Sequence, residues 1–143
     1  MLVTQAIAEI LKREGTEYLS CFPTTPVIEA AAEAGIRPII CRQERVGVGI
    51  ADGYARVTNG KTPAVFAMQY GPGVENAYPG IATAYSDSSP LLLLPLGHPR
   101  ATQDTHPLFS SMRSMASVTK SVEQLTLPER LPAAMRRAVA QLH

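Results

Sequence analysis

Glu44 is the residue of this sequence whose type and position most strongly suggest chemistry. Between residues 43 and 57, apolar side chains recur every three or four positions, which predicts an amphipathic helix that ends at Asn59-Gly60. The apolar face of that helix carries Glu44 together with mostly small residues, namely Gly47, Val48, Ala51 and Ala55. Because an unpaired buried carboxylate costs several kcal/mol, we expect Glu44 to have a hydrogen-bonding partner or a chemical task.

Spacing alone leaves two interpretations of Glu44 open. An acidic residue in the first turn of a helix is stabilised by the helix dipole, and here it could pair with Arg42 or Arg45. The alternative is a functional carboxylate, which the glycines of the same helix favour because each costs about 1 kcal/mol relative to alanine. Three occur within seven residues: Gly47, Gly49 and Gly53. We therefore expect another helix, a second subunit or a flat ligand to approach this helix closely.

The rest of the chain alternates helical and extended patterns, which predicts an α/β fold. We expect an open, mostly parallel sheet of about five to six strands with helices on both faces. Strands are predicted at residues 18–22, 37–41, 63–68, 90–96 and 116–122. The fourth is apolar throughout, as is typical of a strand in the centre of a parallel sheet. Thr25 is predicted to cap the second helix, with Pro26 as its first residue.

The loops between these elements place the site. Ligands of open parallel sheets bind beyond the carboxyl ends of the strands. Four loops of this chain follow such ends, at residues 22–25, 41–44, 69–73 and 97–104. We expect the four loops to meet at one edge of the sheet, with Glu44 in the middle.

Length and composition favour one domain that comprises residues 1–143, since 45% hydrophobic residues suffice to bury a core. A net charge of +1 with interspersed signs argues against nucleic acid or a membrane surface as a partner. The longest apolar run, residues 91–96, is too short to span a bilayer, and we expect no signal peptide. Cys21 and Cys41 are interpreted as buried free thiols of a cytoplasmic protein.

Four motifs carry a family resemblance. In order they are R-Q-E, A-D-G-Y-A-R-V-T-N-G-K, G-P-G-V-E-N and G-I-A-T-A-Y-S-D-S-S-P. Together they resemble the N-terminal, pyrimidine-binding domain of thiamin-diphosphate-dependent enzymes, a resemblance that covers about residues 4–142. The most similar group contains acetolactate synthase, benzaldehyde lyase and 2-oxo-acid decarboxylases. The resemblance implies the thiamin-diphosphate-binding fold.

The resemblance also implies roles for the cofactor site. Glu44 would share a proton with N1′ of the cofactor's aminopyrimidine. Gly71, Pro72 and Gly73 would form the wall beside the pyrimidine, and Asn76 would fix the helix that follows. Without the flanking motifs, this glycine–proline segment would be interpreted as an ordinary strand-to-helix turn.

For the substrate, the resemblance implies a 2-oxo acid that is decarboxylated or ligated to an acceptor. Candidate pocket residues lie in the loops after the first and third strands: Pro23, Thr24, Thr25, Gln69 and Tyr70. Acetolactate synthases tend to carry a Phe-Gln-Glu motif in the long loop, where this chain has Phe109-Ser110-Ser111, which argues against acetolactate formation. His98 and His106 lie in the same loop, and we expect surface or hydrogen-bonded loop histidines.

One expected part of such an enzyme is missing from the sequence. The family binds the diphosphate and a divalent metal through a domain with a G-D-G…N-N signature, which does not occur here, and no metal ligands can be named. We therefore predict a fragment or a subunit that is inactive alone, with magnesium and the diphosphate held by a partner domain, in a homo-oligomer or with another chain. The alternatives are an alpha-type subunit of a sulfopyruvate- or phosphonopyruvate-like decarboxylase, and a non-catalytic interaction module.

Overall fold

The computed structural model describes residues 1–103 and 105–142, so Asp104 of the long loop and the terminal His143 lie outside it. The predicted alternation is confirmed as an α/β fold. The strands are β1 (Tyr18–Cys21), β2 (Arg37–Ile40), β3 (Ala64–Met68) and β4 (Leu91–Pro95). The helices are α1 (Val3–Arg13), α2 (Val27–Glu33), α3 (Glu44–Val57), α4 (Pro72–Ser86), α5 (Ser111–Met115) and α6 (Leu131–Ala140). Short 3-10 turns occur at Arg100–Thr102 and Pro128–Arg130.

The sheet is parallel throughout, with strand order β2-β1-β3-β4. In register, Ser20 of β1 lies between Ile39 of β2 and Phe66 of β3. The carboxyl ends of all four strands therefore face one edge, as predicted. The chain turns back across the sheet between β2 and β3, so the loops after the central strands β1 and β3 diverge and leave a crevice at that edge.

Two apolar clusters cover the two faces of the sheet. One unites α1, α2 and α6 with inward residues of the strands such as Leu19 and Val65. The other unites α3, α4 and α5 with the opposite side chains, of which Phe66 and Met68 are the largest. The prediction of helices on both faces is confirmed. None of the helices among the described residues is both long and apolar enough to cross a membrane.

The number of strands is smaller than predicted, since the described residues form four rather than five to six. Residues 116–120 are turns and bends and residues 121–122 are irregular, so the predicted strand is absent. Their alternation of valine with polar residues resembles a strand pattern. However, the backbone N–H of Val118 and the hydroxyl of Thr119 both donate to the carbonyl of Met115, whose side chain is buried. These bonds curl the segment around the end of α5.

The position of β4 also differs from the prediction. Its apolar sequence indicated a central strand, yet the strand order places it at the edge of the sheet. Along its length only Leu92 is fully buried, and the other positions are half-buried. β4 lines a cleft of about 1330 Å³ together with Val122, Leu131 and Met135, among other residues. An apolar run therefore did not indicate a central place in the sheet.

Helix α3 lies tightly against the sheet. The Ser20 hydroxyl donates to the carbonyl of Gly47 at 2.7 Å, and this bond is buried. A Cβ atom at position 47 would lie 2.3 Å from Cε2 of Phe66 and 2.6 Å from Sγ of Cys41. Gly47 therefore permits the close approach that the glycines of α3 predicted, here between the helix and the sheet. Gly49 and Gly53 face open space.

The two thiols are buried and unbonded, as predicted, and belong to the clusters on opposite faces of the sheet. Burial, with a smaller effect of nearby Cys41, raises the pKa of the Cys21 thiol from 9.0 to about 11. Burial also raises the pKa of the Cys41 thiol.

We predict that neither thiol is alkylated by iodoacetamide at pH 8 in the native chain. A pKa raised from 9.0 to about 11 keeps Cys21 protonated and reduces its reactive thiolate about a hundredfold at that pH, in addition to steric protection. Mass spectrometry after timed alkylation measures this, and the same reaction in urea is the control. Rapid native labelling of Cys21 would contradict the placement of β1.

Candidate functional site

Glu44 is the first residue of α3 and follows Gln43, whose backbone is extended. It is 5% exposed and shares the buried face of α3 with the small residues predicted from spacing. Its carboxylate accepts a hydrogen bond from an amide of the neighbouring helix, since Nδ2 of Asn76 donates to Oε2 at 2.7 Å. Thirty-two residues separate the two side chains along the sequence. The structure thus brings together two of the predicted cofactor residues.

The partner of Glu44 differs from the arginine that one of the two interpretations proposed. Among the described residues, the Glu44 carboxylate bonds to Asn76 rather than to Arg42 or Arg45, both of which are exposed. A surface ion pair lies on the same helix. Nε of Arg56 donates to Asp52 at 3.0 Å, and the same guanidinium also reaches Asp87. Glu44 is therefore held inside the fold by a neutral donor.

The start of α4 forms the floor of this site. Helix α4 begins at Pro72 after Gly71, which has a φ of 61° that favours glycine. A Cβ atom at Gly73 would lie 2.8 Å from Oε1 of Glu44 and 2.9 Å from Cβ of Gln69. The carboxylate thus lies over the first turn of α4, where the helix dipole favours negative charge. Only a residue without a side chain at position 73 leaves room for this arrangement.

Gly71 is covered on its other side by a residue of the long loop. Ring atoms of Phe109 lie 3.1 Å from the position that a Cβ atom would take at Gly71. The sequence had drawn attention to this part of the loop only because of its departure from the Phe-Gln-Glu motif. The structure adds Phe109 to the site as a packing residue.

The predicted substrate-pocket residues divide into two groups. Pro23 and Thr24 are exposed in the loop after β1, whereas Thr25 is 5% exposed. The prediction that Thr25 caps α2 is wrong. The helix begins at Val27, one residue later than predicted, and Pro26 precedes it without a side-chain cap. Its Oγ1 is buried and has no hydrogen-bond partner among the described residues.

The second group lies after β3. Gln69 borders Gly73, and the ring of Tyr70 packs on the ring of His98 with centroids 4.6 Å apart. His98 is half-buried, and its Nε2 has no hydrogen-bond partner among the described residues, in contrast to the predicted surface or bonded histidine. His106 is exposed, as predicted. The position of His98, three residues after the edge strand, is the signal that would have indicated it.

Thr25 and His98 both line the cleft beside β4, whereas Glu44, Gly73 and Asn76 do not. The cleft and the carboxylate site are thus separate features at the same edge of the sheet, and Tyr70 and Phe109 lie at their boundary through their contacts with His98 and Gly71. This cleft is therefore not where the buried carboxylate lies. We base the assignment of chemistry on the carboxylate and its partners.

The residues present fit one part of thiamin diphosphate. A carboxyl group beside a cradle that a single Cβ would fill suits a flat ring with a nitrogen that can share a proton with it. In contrast, the described residues contain no group of three or more His, Cys, Asp or Glu side chains placed to hold a metal ion.

Comparison with known proteins agrees with this arrangement. Residues 1–117 match the family described as "Thiamine pyrophosphate enzyme, N-terminal TPP binding domain". The probable acetolactate synthase large subunit of Methanocaldococcus jannaschii is 30% identical over 139 residues, which are 94% of this chain and 23% of that protein. The probable 2-ketoarginine decarboxylase AruI of Pseudomonas aeruginosa is 31% identical over 150 residues, 95% of this chain and 25% of that protein.

A third relative, the acetolactate synthase large subunit of Haemophilus influenzae, is 38% identical over 94 residues, 63% of this chain and 16% of that protein. The chain therefore spans a quarter or less of the length of these relatives. The match over residues 1–117 covers most of the chain and shows its family. The chain belongs to the thiamine pyrophosphate enzyme family, as its N-terminal TPP-binding domain.

Proposed function

We propose that this chain is the pyrimidine-binding domain or subunit of a thiamin-diphosphate-dependent enzyme that acts on a 2-oxo acid by decarboxylation or carboligation. The observation that carries the proposal is the Glu44 carboxylate, which is 5% exposed, held by Asn76 and placed over Gly73. The other oxygen of this carboxyl group has no hydrogen-bond partner among the described residues, so it is available to a partner outside the chain. N1′ of an aminopyrimidine is such a partner.

In this proposal the residues of the chain bind and orient the cofactor and move one proton. Glu44 shares a proton with N1′, while Gly71, Pro72 and Gly73 present a flat backbone surface to the ring. Asn76 keeps the carboxylate in place. When bound, the thiazolium ring supplies the carbon nucleophile that attacks the 2-oxo group. The protein fixes the position of the cofactor and the proton at N1′.

We assign recognition of the 2-oxo acid to the loops after β1 and β3. The unpartnered hydroxyl of Thr25 and the placement of Gln69 beside Gly73 support this assignment, and Tyr70 and His98 extend it. Pro23 and Thr24 would lie at the exposed rim. The relatives differ in named reaction, acetolactate synthase in one case and 2-ketoarginine decarboxylase in another, so 2-oxo acid chemistry is the common expectation.

A partner chain or domain completes the site in this proposal, because it must hold the diphosphate and a magnesium ion. The exposed face of α3 supports the need for a partner. Val46, Ile50 and Val57 are 51%, 37% and 83% exposed, and Gly49 and Gly53 lie between them with no atom near their Cβ positions. We call these five residues the α3 stripe. It begins two residues after Glu44, on the exposed side of α3, and an exposed apolar surface of this kind indicates a contact with a partner.

We expect Ile50→Glu to weaken association with the partner at least about tenfold, because a charge would be buried in an apolar contact. Analytical ultracentrifugation of the chain with its native partner measures this. Leu2→Glu is the matched control, since Leu2 is 68% exposed and lies at the start of α1, on the other face of the sheet. Equal association of both variants would remove the α3 stripe from the interface.

The function is tested by release of carbon dioxide from a panel of 2-oxo acids, with thiamin diphosphate and magnesium present. We expect release from the chain assembled with its partner and none from the chain alone. An assembly that binds the cofactor but shows no turnover of any 2-oxo acid would contradict the proposed substrate class. An assembly that forms normally and binds no cofactor would favour the non-catalytic interaction module.

A further inference from the structure

We propose that Asn76 is a positioning residue that makes Oε1 of Glu44, and not Oε2, the oxygen that shares the proton with the bound cofactor. The inference rests on the proposed function, because the proton has a use only if Glu44 contacts an aminopyrimidine. It goes further by assigning different roles to the two oxygens and by naming the side chain that separates them.

The first step is the direction of the hydrogen bond. An amide nitrogen can only donate, so Nδ2 of Asn76 at 2.7 Å requires Oε2 to present a lone pair. A proton on Oε2 would compete with this donor for the same short contact. Any proton that Glu44 carries is therefore directed to Oε1.

The second step is the environment of Oε1. This oxygen has no hydrogen-bond partner among the described residues, yet it is not one of their fully buried unpartnered atoms, so part of its surface stays accessible. It lies 2.8 Å from the place that a Cβ atom of residue 73 would occupy. Gly73 thus gives Oε1 its open side, while Asn76 prevents the carboxyl group from rotating to exchange its oxygens.

The third step is the rigidity of the donor. Asn76 lies within α4, close to its first turn, and its helix packs against α3 through Val48, Val74 and Ala77 in one cluster. The neighbouring Glu75 points elsewhere and accepts from the Ser114 hydroxyl at 2.6 Å. The donor is therefore carried by a packed helix.

The contact is tested first on the chain without cofactor. Asparagine occurs only at positions 59 and 76, so selective 15N-asparagine labelling gives two side-chain amide groups in the spectrum. We expect Glu44→Ala to move the Asn76 amide signals and leave those of Asn59 in place, because Asn59 lies beyond the other end of α3. Glu75→Ala is the matched control and should move them far less. Unmoved Asn76 signals in Glu44→Ala would overturn the proposal.

The role is tested in the assembled enzyme. Two variants, Asn76→Leu and Asn76→Asp, keep the approximate shape of the side chain and remove its amide donor. We expect each to lower kcat about 10- to 100-fold, with KM for the 2-oxo acid changed by less than about threefold. In the Glu44→Gln background, Asn76→Leu should cost nothing further, since the two residues act as one unit. Additive losses, or a loss in KM alone, would overturn the positioning role. An assembly that binds no cofactor at all would instead overturn the proposed function, while the amide spectrum still reports the contact itself.

Discussion

Replacement of Glu44 by glutamine is expected to lower kcat of the assembled enzyme at least about 100-fold, with the chain still folded and its partner still bound. The size follows from the usual contribution of a positioned acid–base group, which is about 10²–10⁴ in rate. Glutamine keeps the shape of the side chain and an acceptor for Asn76, but it cannot share a proton. The assay is carbon dioxide release at saturating cofactor.

The control for this variant is Glu75→Gln. Glu75 belongs to the first turn of α4, like Gly73, but its carboxylate bonds to Ser114 at an exposed site. We expect kcat within about twofold of the unaltered enzyme, as for most exposed side chains away from a site. If both variants lost activity alike, or if neither did, Glu44 would have no special part in the reaction.

The largest effect on stability is expected at Gly47. In Gly47→Ala the new methyl group would lie 2.3 Å from the ring of Phe66 and 2.6 Å from Sγ of Cys41. Phe66 is completely buried, so α3 has to move away from β3, which we expect to lower the free energy of unfolding by about 1–3 kcal/mol. Urea denaturation followed by circular dichroism measures the change.

Gly49→Ala is the matched control in the same helix. Its new methyl group would meet no atom within 4 Å, so the higher helix propensity of alanine should raise the free energy of unfolding by up to about 1 kcal/mol. The two substitutions are chemically identical and should have opposite signs. A loss of stability of the same size in both would contradict the packing of α3 on the sheet.

These expectations also show what could be read from the sequence. The 3.6-residue period identified the buried face of α3 correctly, because one turn of a helix fixes which side chains share a side. The same period could not tell that Gly47 meets Phe66 while Gly49 meets nothing, since that depends on the sheet beneath the helix. The residues that share a face of α3 could be predicted from the sequence, but the residues that they contact in the sheet could not.

The site shows the same division. The carboxyl-edge rule placed the loops of Glu44 and Gly73 together, because parallel strands end at one edge. The bond between Glu44 and Asn76 joins residues 32 apart in two different helices, and no local pattern indicates it. The error on β4 has a related cause. Strand order is set by crossover connections, so an apolar run does not reveal whether its strand is central or lies at an edge beside a cleft.

The central claim is that this chain binds the pyrimidine end of thiamin diphosphate and needs a partner for the other end. Calorimetric titration of thiamin diphosphate with magnesium into the chain, alone and assembled with its partner, tests it most directly. We predict little or no heat of binding for the chain alone and tight binding of one cofactor for each copy of the chain in the assembly. Normal association with the partner, with no cofactor bound under the same conditions, would contradict the claim.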